Sequence, residues 1–276
     1  MTSASPPLFS VVTIALNCAD DAERTARSVL AQDYPDVEYL VQDGGSTDGT
    51  PERLMALGVT EIVSAPDGGI YDAMNQAIAR CRGSYVCFMN AGDEFVGPGV
   101  LRAVAQAITD AGHPDLLFGD IRSLVRHPFL SAAEQPAAGR LIRYPDRVGR
   151  FWLYRKMICH QAWFVRREIY AAQPFDTSFC ILADYDYLLD LLLRRRARYA
   201  HLAEVVVIFD GGGLSTQASQ RRDAERARAL AHSYSPIELG IYQAVFGGMK
   251  WLNRTLVYPL IYPLLPERLR GRASGI

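Results

Sequence analysis

Residues 81–95 read CRGSYVCFMNAGDEF, and the fold turns on how this stretch is read. Cys81 and Arg82 end a helical pattern, Gly83 breaks it, and Ser84 to Met89 run on as a strand. Tyr85 to Met89 carry no charge, as a strand covered on both faces requires. The chain then turns polar through Asn90-Ala91-Gly92-Asp93-Glu94. Gly92 lets backbone or ligand come close to the two carboxylates beside it. In an open parallel sheet, ligands bind outside the carboxyl ends of the strands. An Asp there can hold a hard divalent cation through oxygen. An ordinary strand-to-helix turn with a capping Asp uses the same residues, so the neighbouring segments must decide.

Upstream, the same grammar repeats. Phe9 to Leu16 (FSVVTIAL) is β-branched and apolar, a first buried strand. A polar turn, Asn17 to Asp21, leads to a helix with Ala22, Ala26, Val29 and Leu30 on one face. Val37 to Gln42 predicts a second strand running into Asp43-Gly44-Gly45-Ser46-Thr47-Asp48-Gly49-Thr50, where Pro51 opens a short helix. Thr60 to Ser64 predicts a third strand, ending at Pro66-Asp67-Gly68-Gly69. The next helix buries Ile70, Ala73, Met74, Ala77, Ile78 and Cys81, with Asp72, Asn75 and Gln76 on its other side. Alternating β and α segments of this kind close into a right-handed, mostly parallel sheet. Every polar turn named here follows a strand, so all of them gather at one edge.

Downstream, Leu101 to Ala111 predicts a helix and Asp115 to Asp120 a strand, whereas 121–150 reads as loops with a short hairpin. Met157-Ile158-Cys159-His160-Gln161 precedes a strand at Ala162 to Arg166, and Asp184 to Arg196 predicts a helix. A last strand, Tyr199 to Phe209, ends at Gly211-Gly212-Gly213, which reads equally as a mobile lid or a plain linker. Gln217 to Ser233 is a charged helix. Beyond Pro236 the chain becomes apolar and aromatic, with Lys250, Arg254, Arg268, Arg270 and Arg272 interspersed. Its apolar runs are too short to span a bilayer. A segment lying on a membrane surface, a homodimer interface and packing on the main domain all fit that composition.

The totals exclude whole classes. With 29 Lys plus Arg against 30 Asp plus Glu, the net charge of −1 argues against a nucleic-acid binder. The 5 Cys form no CxxC spacing and suit reduced, buried thiols, which argues against zinc and for the cytoplasm. The start, MTSASPPLF, has no export signal's basic segment or apolar run. Neither GxGxxG nor GxxxxGK[ST] is present, so a dinucleotide dehydrogenase or P-loop ATPase is not expected. A sugar nucleotidyltransferase would need basic groups to hold a triphosphate, and 17–24 offers too few.

What remains is a cleft lined by carboxylates. Asp43 can accept hydrogen bonds from a base or ribose without a glycine cradle. Asp93 can hold a cation that neutralises a diphosphate. Asp184, opening a helix behind Phe179-Cys180-Ile181-Leu182, is the candidate to take a proton from an incoming hydroxyl, although a first-turn helix charge reads the same way.

Taken together, VVTIALN, LVQDGGSTDGT, APDGGIYDAMNQAI, CFMNAGDEF, HQAWF and ILADYDYLLDLLL resemble the ordered landmarks of glycosyltransferase family 2, in its bacterial exopolysaccharide and colanic-acid type. The likeness covers about Ser10 to Thr216. It implies the GT-A fold, a Rossmann-like, mostly parallel twisted sheet flanked by helices. It also implies a nucleotide-sugar donor, usually of UDP, a divalent Mn or Mg ion, and inverting single displacement. The expected organisation is a transferase domain at 1–216, with a nucleotide half at about 8–95 and an acceptor half at about 96–216, followed by a helical extension at 217–276.

By position, the resemblance puts Asp43 at the nucleobase, with the backbone of Thr13, Ala15 and Asn17 lining the same pocket. Asp67 would meet the ribose or base, with Gly68, Gly69, Asp72 and Asn75 near the sugar and diphosphate. Asn90 and Ala91 would lie on the donor, and Asp93 would be the metal-binding Asp. Asp184 would be the base, with His160 and Gln161 beside the acceptor or donor sugar; a merely structural core histidine is the rival reading of His160. Three departures stand out. Asn90 replaces one Asp of the metal motif, Ala183 replaces the Glu before the base, and Gly44 stands where many relatives carry a second Asp. The implied acceptor is a glycan or lipid-linked hydroxyl in cell-surface polysaccharide synthesis, which would place the protein in the cytoplasm at the inner face of the plasma membrane. The departures leave a catalytically inactive nucleotide-sugar-binding protein as the alternative.

Overall fold

The alternating pattern folds, in chain order, as β1 (Phe9–Ala15), α1 (Ala19–Leu30), β2 (Val37–Asp43), α2 (Thr50–Ala56), β3 (Glu61–Ser64), α3 (Ile70–Ile78), β4 (Tyr85–Phe88) and the two-residue β5 (Glu94–Phe95). There follow α4 (Val100–Asp110), β6 (Leu116–Ser123), β7 (Arg140–Ile142), α5 (Arg150–Arg155), β8 (Trp163–Arg166), α6 (Arg167–Ala172), α7 (Ala183–Leu189), β9 (Tyr199–Phe209), α8 (Ser219–Ser233) and α9 (Pro236–Leu252). The computed structural model describes residues 8–125, 139–211 and 219–252. Residues 126–138 of the expected 121–150 loop, the glycines after Gly211 and the tail after Leu252 lie outside the described residues. The chain divides into two compact units, Met1–Ala229 and Leu230–Ile276, so the division falls inside α8.

The strands join in the order β3-β2-β1-β4-β8-β6-β9-β5, with β7 on β6. β1 lies parallel to β2 and β4, and β2 to β3, with Ala15 opposite Asp43 and Val12 opposite Phe88. This register levels the ends of β1, β2 and β4, so the turns after them share one rim. β6 and β9 form the other long parallel ladder, and β8 runs antiparallel between β4 and β6. All seven residues of β1 are buried, which explains why it lacks the polar alternation of a half-exposed strand. Helices close both faces: α1 buries Ala22, Ala26 and Val29, α3 buries Ala73, Met74 and Ala77, and α4 buries Leu101, Val104 and Ile108.

The rim opposite the turns is held by a buried carboxylate. Glu38 accepts hydrogen bonds from Ser10 Oγ, the Arg82 amide, Gly83 N at 3.0 Å and Arg82 Nε at 2.8 Å. Burial alone would push the Glu38 pKa up, but these donors outweigh it and hold the carboxyl below its usual range. Gly83 passes so close to β1 that a β-carbon there would lie 2.4 Å from Ser10 N. The break read at this glycine is a steric requirement.

Four elements differ from the sequence expectation. The helix expected from Asp184 to Arg196 is α7 followed by a wider, π-type turn, Asp190–Arg194. Asp190 accepts from Arg194 Nη1 at 3.0 Å and Arg195 Nε at 2.7 Å there, while Leu191 and Leu192 stay buried, so the apolar pattern continues through the change. α5, α6 and β5 were not expected, because two to six residues carry too little periodicity to be read. The expected hairpin is β7 antiparallel to β6, with Ile121 opposite Ile142. Among the described residues no helix is long and apolar enough to cross a membrane.

Candidate active site

The turns after β1, β2 and β3 are stitched to one another. Asp43, fully buried, accepts from the amides of Gly45 at 3.1 Å and Ser46 at 2.8 Å, and from the hydroxyls of Ser46 at 2.5 Å and Ser64 at 2.6 Å. Its carboxylate therefore rigidifies the glycine turn as well as standing at the strand end. Asn17, at φ 49°, donates its amide to Ser46 Oγ at 2.7 Å and accepts from Thr47 N at 2.9 Å. Ala15 O takes the amide of Gly44 at 2.9 Å. The Thr13 hydroxyl is spent inside the sheet, donating to Met89 O at 2.9 Å.

Gly44 has a specific reason. A β-carbon at this position would lie 2.9 Å from Asp67 Oδ2. The space that a second Asp's side chain would need is filled by the carboxylate of Asp67, arriving from the next turn. Asp67 itself accepts from Gly69 N at 2.8 Å, and Asp72 accepts from Gly68 N at 2.8 Å. Asn75 points its amide elsewhere: it pairs both ways with the backbone of Phe175, at 2.9 and 2.8 Å.

From α3 the contacts run into the second half of the chain. The Tyr71 hydroxyl lies 2.7 Å from Ile181 O and 3.1 Å from Asp184 Oδ1. Asp184 Oδ2 sits 2.8 Å from His160 Nδ1. Because a carboxylate only accepts, Nδ1 donates to Asp184, while Nε2 lies 3.2 Å from Asn90 Nδ2. The next residue, Gln161, donates Nε2 to Asp93 Oδ2 at 2.8 Å, and the Asp210 amide donates to Asp93 Oδ1 at 2.9 Å. His160 and Gln161 thus connect Asp184 to Asn90 and Asp93 across one turn of chain. Burial pushes the Asp93 carboxyl up to about 6, against the pull of the Asp210 amide, His160 and Gln161.

Sequence reasoning missed four contributors. Tyr71 stood unremarked inside the GIYDAMN block. Arg24 braces the β4–β5 turn, donating to Gly92 O at 3.1 Å and pairing with Glu94 at 3.1 Å. Asp210 follows β9 directly and donates its amide to Asp93. Glu225 of α8, buried, accepts from the amides of Cys180, Ile181 and Leu182 at 2.9, 2.9 and 3.0 Å, and so fixes the loop that delivers Asp184. Only the glycine beside Asp210 gave any local signal.

Among the described residues no three His, Cys, Asp or Glu side chains cluster to hold a metal. Asn90 Oδ1, however, is buried with no hydrogen-bond partner, and Asn90 lies three residues before Asp93 in the same turn. An amide oxygen and one carboxylate fit Mg or Mn bound chiefly through substrate phosphates and water. The residues present fit such an ion.

The sheet topology and its rim of turns are those of the GT-A fold of glycosyltransferases. The chain belongs to glycosyl transferase family 2, whose profile matches residues 10–170. It is 35% identical over 193 residues to an uncharacterized glycosyltransferase of Mycobacterium tuberculosis, covering 68% of this chain and 70% of the relative. It is 30% identical over 217 residues to a PGL/p-HBAD biosynthesis glycosyltransferase of Mycobacterium bovis, covering 76% of this chain and 79% of that one. Among solved structures, S. aureus TarS 1-349 in complex with UDP-GlcNAc superposes with TM-score 0.64 at 17% identity, over 96% of this chain and 78% of that one. In a longer TarS crystal structure the chain spans 44% of the length. Glucosyl-3-phosphoglycerate synthase of Mycobacterium tuberculosis, with Mg2+ and UDP, gives TM-score 0.57 at 21% identity, over 82% and 80%.

Proposed function

We propose that the protein is an inverting glycosyltransferase that moves a sugar from a UDP-sugar to a hydroxyl of a glycan or lipid-linked acceptor in cell-surface polysaccharide synthesis. The observation that carries this reading is the join between Asp93 and Asp184 through the adjacent side chains of His160 and Gln161. It links the two carboxylates read as the diphosphate-side ligand and the proton acceptor in one hydrogen-bonded network.

Asp184 takes the proton of the acceptor hydroxyl as its oxygen attacks the anomeric carbon. The new C–O bond forms on one face while the bond to the diphosphate breaks on the other, and that electron pair leaves with UDP. His160 Nδ1–H and the Tyr71 hydroxyl hold the Asp184 carboxylate in place. Asp43 fixes the turn at the nucleobase end, with Asp67 against it. Asp93 and Asn90 would hold Mg or Mn, which supplies neutralisation of the departing diphosphate's charge. Titrating a panel of nucleotide sugars with manganese, by thermal shift and product release, tests the reading. Asp184→Asn should keep donor binding and lose turnover by about 10²- to 10⁴-fold. Retained turnover would move the base elsewhere.

A second reading, a nucleotide-sugar-binding protein without activity, is favoured by Asn90 and Ala183 standing where relatives carry acids. A wild type that binds donor but neither transfers nor hydrolyses it would establish that reading. In α9, Ile237, Ile241 and Val245 are 76%, 54% and 46% exposed at i, i+4 and i+8, an apolar face suited to a membrane surface. Full-length protein should sediment with liposomes while a chain ending at Ser235 stays behind. Equal behaviour of both, or a concentration-dependent homodimer lost on truncation, would overturn the membrane role.

A further inference from the structure

Behind the loop that carries Asp184 lies a cavity of about 300 Å³ that the transfer chemistry does not use. Its wall combines the end of α5, the start of α7 and the outer turn of α8. Arg155, Lys156, Arg222 and Arg226 all line it, against the single acid Asp223. Arg226 is held rigidly. It donates to Tyr154 O, and its guanidinium lies 5.6 Å from the Tyr154 ring centre and 5.8 Å from that of Tyr185. Neither Lys156 nor Arg226 forms an ion pair with a carboxylate among the described residues. The one buried acid of α8, Glu225, is turned onto the backbone amides of Cys180 to Leu182.

Four cations face one concavity with a single acid, Asp223, among its described lining residues. An anion with several oxygens complements such a wall, engaging guanidinium groups in pairs. Leu182 and Tyr185, which flank Asp184 in sequence, form the apolar part of the same wall. Whatever sits here is therefore positioned relative to the proton acceptor.

We propose that this cavity is a phosphate subsite for the acceptor, taking a phosphate or diphosphate group several bonds away from the hydroxyl that is glycosylated. This rests on the transferase reading above. It narrows the acceptor to phosphate-bearing molecules, such as a phosphate-linked lipid or a phosphorylated glycan.

The experiment uses full-length protein with its donor site filled by saturating UDP and Mg2+, and inorganic pyrophosphate as the probe, followed by calorimetry. Wild type should bind pyrophosphate alongside UDP. The double variant Lys156→Ala/Arg222→Ala should weaken that binding by about tenfold or more with UDP affinity unchanged, since each charge-assisted bond is worth about that factor. Asp223→Asn, which removes the only acid, should strengthen it severalfold, and it guards against an alanine variant that fails to fold. Pyrophosphate that merely competes with UDP, or that binds the variants as it binds wild type, overturns the subsite. Binding of phosphatidylglycerol vesicles through the same residues without pyrophosphate binding also overturns it, making the patch a membrane contact. Loss of UDP binding in wild type would instead sink the transferase reading, and pyrophosphate binding would remain separately readable.

Discussion

The two rims of the sheet carry buried carboxylates of opposite character. Glu38, beneath β1 and β4, is wrapped by donors from Ser10, Arg82 and Gly83, and its pKa is held down. Asp93, above the same strands, has one donor on each oxygen and a pKa pushed up to about 6. Burial raises both. What differs is how many hydrogen bonds were provided to offset it. A carboxylate that holds the fold is saturated with donors, whereas Asp93 keeps unused lone pairs, as the ligand role proposed for it requires.

The opposite signs give opposite responses to pH. A depressed pKa adds stability above the ordinary carboxyl range, which is lost as pH falls through the depressed value. Glu38 therefore helps at neutral pH. A raised pKa works the other way: the folded state binds the proton more tightly than the unfolded one, so stability falls as pH climbs from about 4 to about 6.

The largest expected effect is at the saturated rim. Glu38→Ala strands the Gly83 and Arg82 amides and should cost about 3 kcal/mol, lowering Tm by roughly 10 °C in a melt followed by circular dichroism. An unchanged Tm would erase the distinction between the rims. Asp93→Asn should go the other way in the unliganded protein. Relief of the buried charge, less one lost hydrogen bond, leaves a gain of about 1–2 kcal/mol at pH 7.5. That gain should vanish near pH 4, where Asp93 is protonated in the wild type, and turnover should collapse. Glu225→Gln sharpens the contrast from a third position. Glu225 is also saturated, its pKa held down by the amides of Cys180, Ile181 and Leu182 against the effect of burial. The variant should lose about 1 kcal/mol of stability, slow turnover by roughly tenfold and leave donor Kd alone. A change in donor Kd instead would mean that the loop serves the nucleotide.

The saturated and unsaturated carboxylates were not equally legible in the sequence. Strands β1 to β4 and their helices announce themselves through uninterrupted apolar runs and i, i+4 spacing, and the Asp-Gly turns fall where those runs stop. Asp93 could be singled out because Gly92 and a buried strand stand next to it. The pairing of His160 with Asp184, 24 residues apart, and of Glu225 with Cys180, 45 apart, leaves no periodic trace. Glu225 sits in a helix whose charged composition reads as solvated surface, and nothing local says that one of its acids faces inward. Gly44 was visible as a departure, but its reason, the Asp67 carboxylate beside it, belongs to the packing of two turns. Asn75 marks the reverse case. Its position on the polar face of α3 pointed towards the donor, and its amide is instead committed to the backbone of Phe175.

The reach of Glu225 back to Cys180 also has a consequence in time. The polypeptide emerges from the ribosome in order, and every group so far assigned to chemistry lies before residue 190. Yet the segment that presents Asp184 has no acceptor for three of its amides until α8 has been translated and has folded back. A nascent chain released at Phe209 would hold Asp43, Asp93, His160 and Asp184 and still leave the segment before Asp184 slack. Competence should switch on only over the last quarter of synthesis, which keeps a half-made transferase from consuming activated sugar.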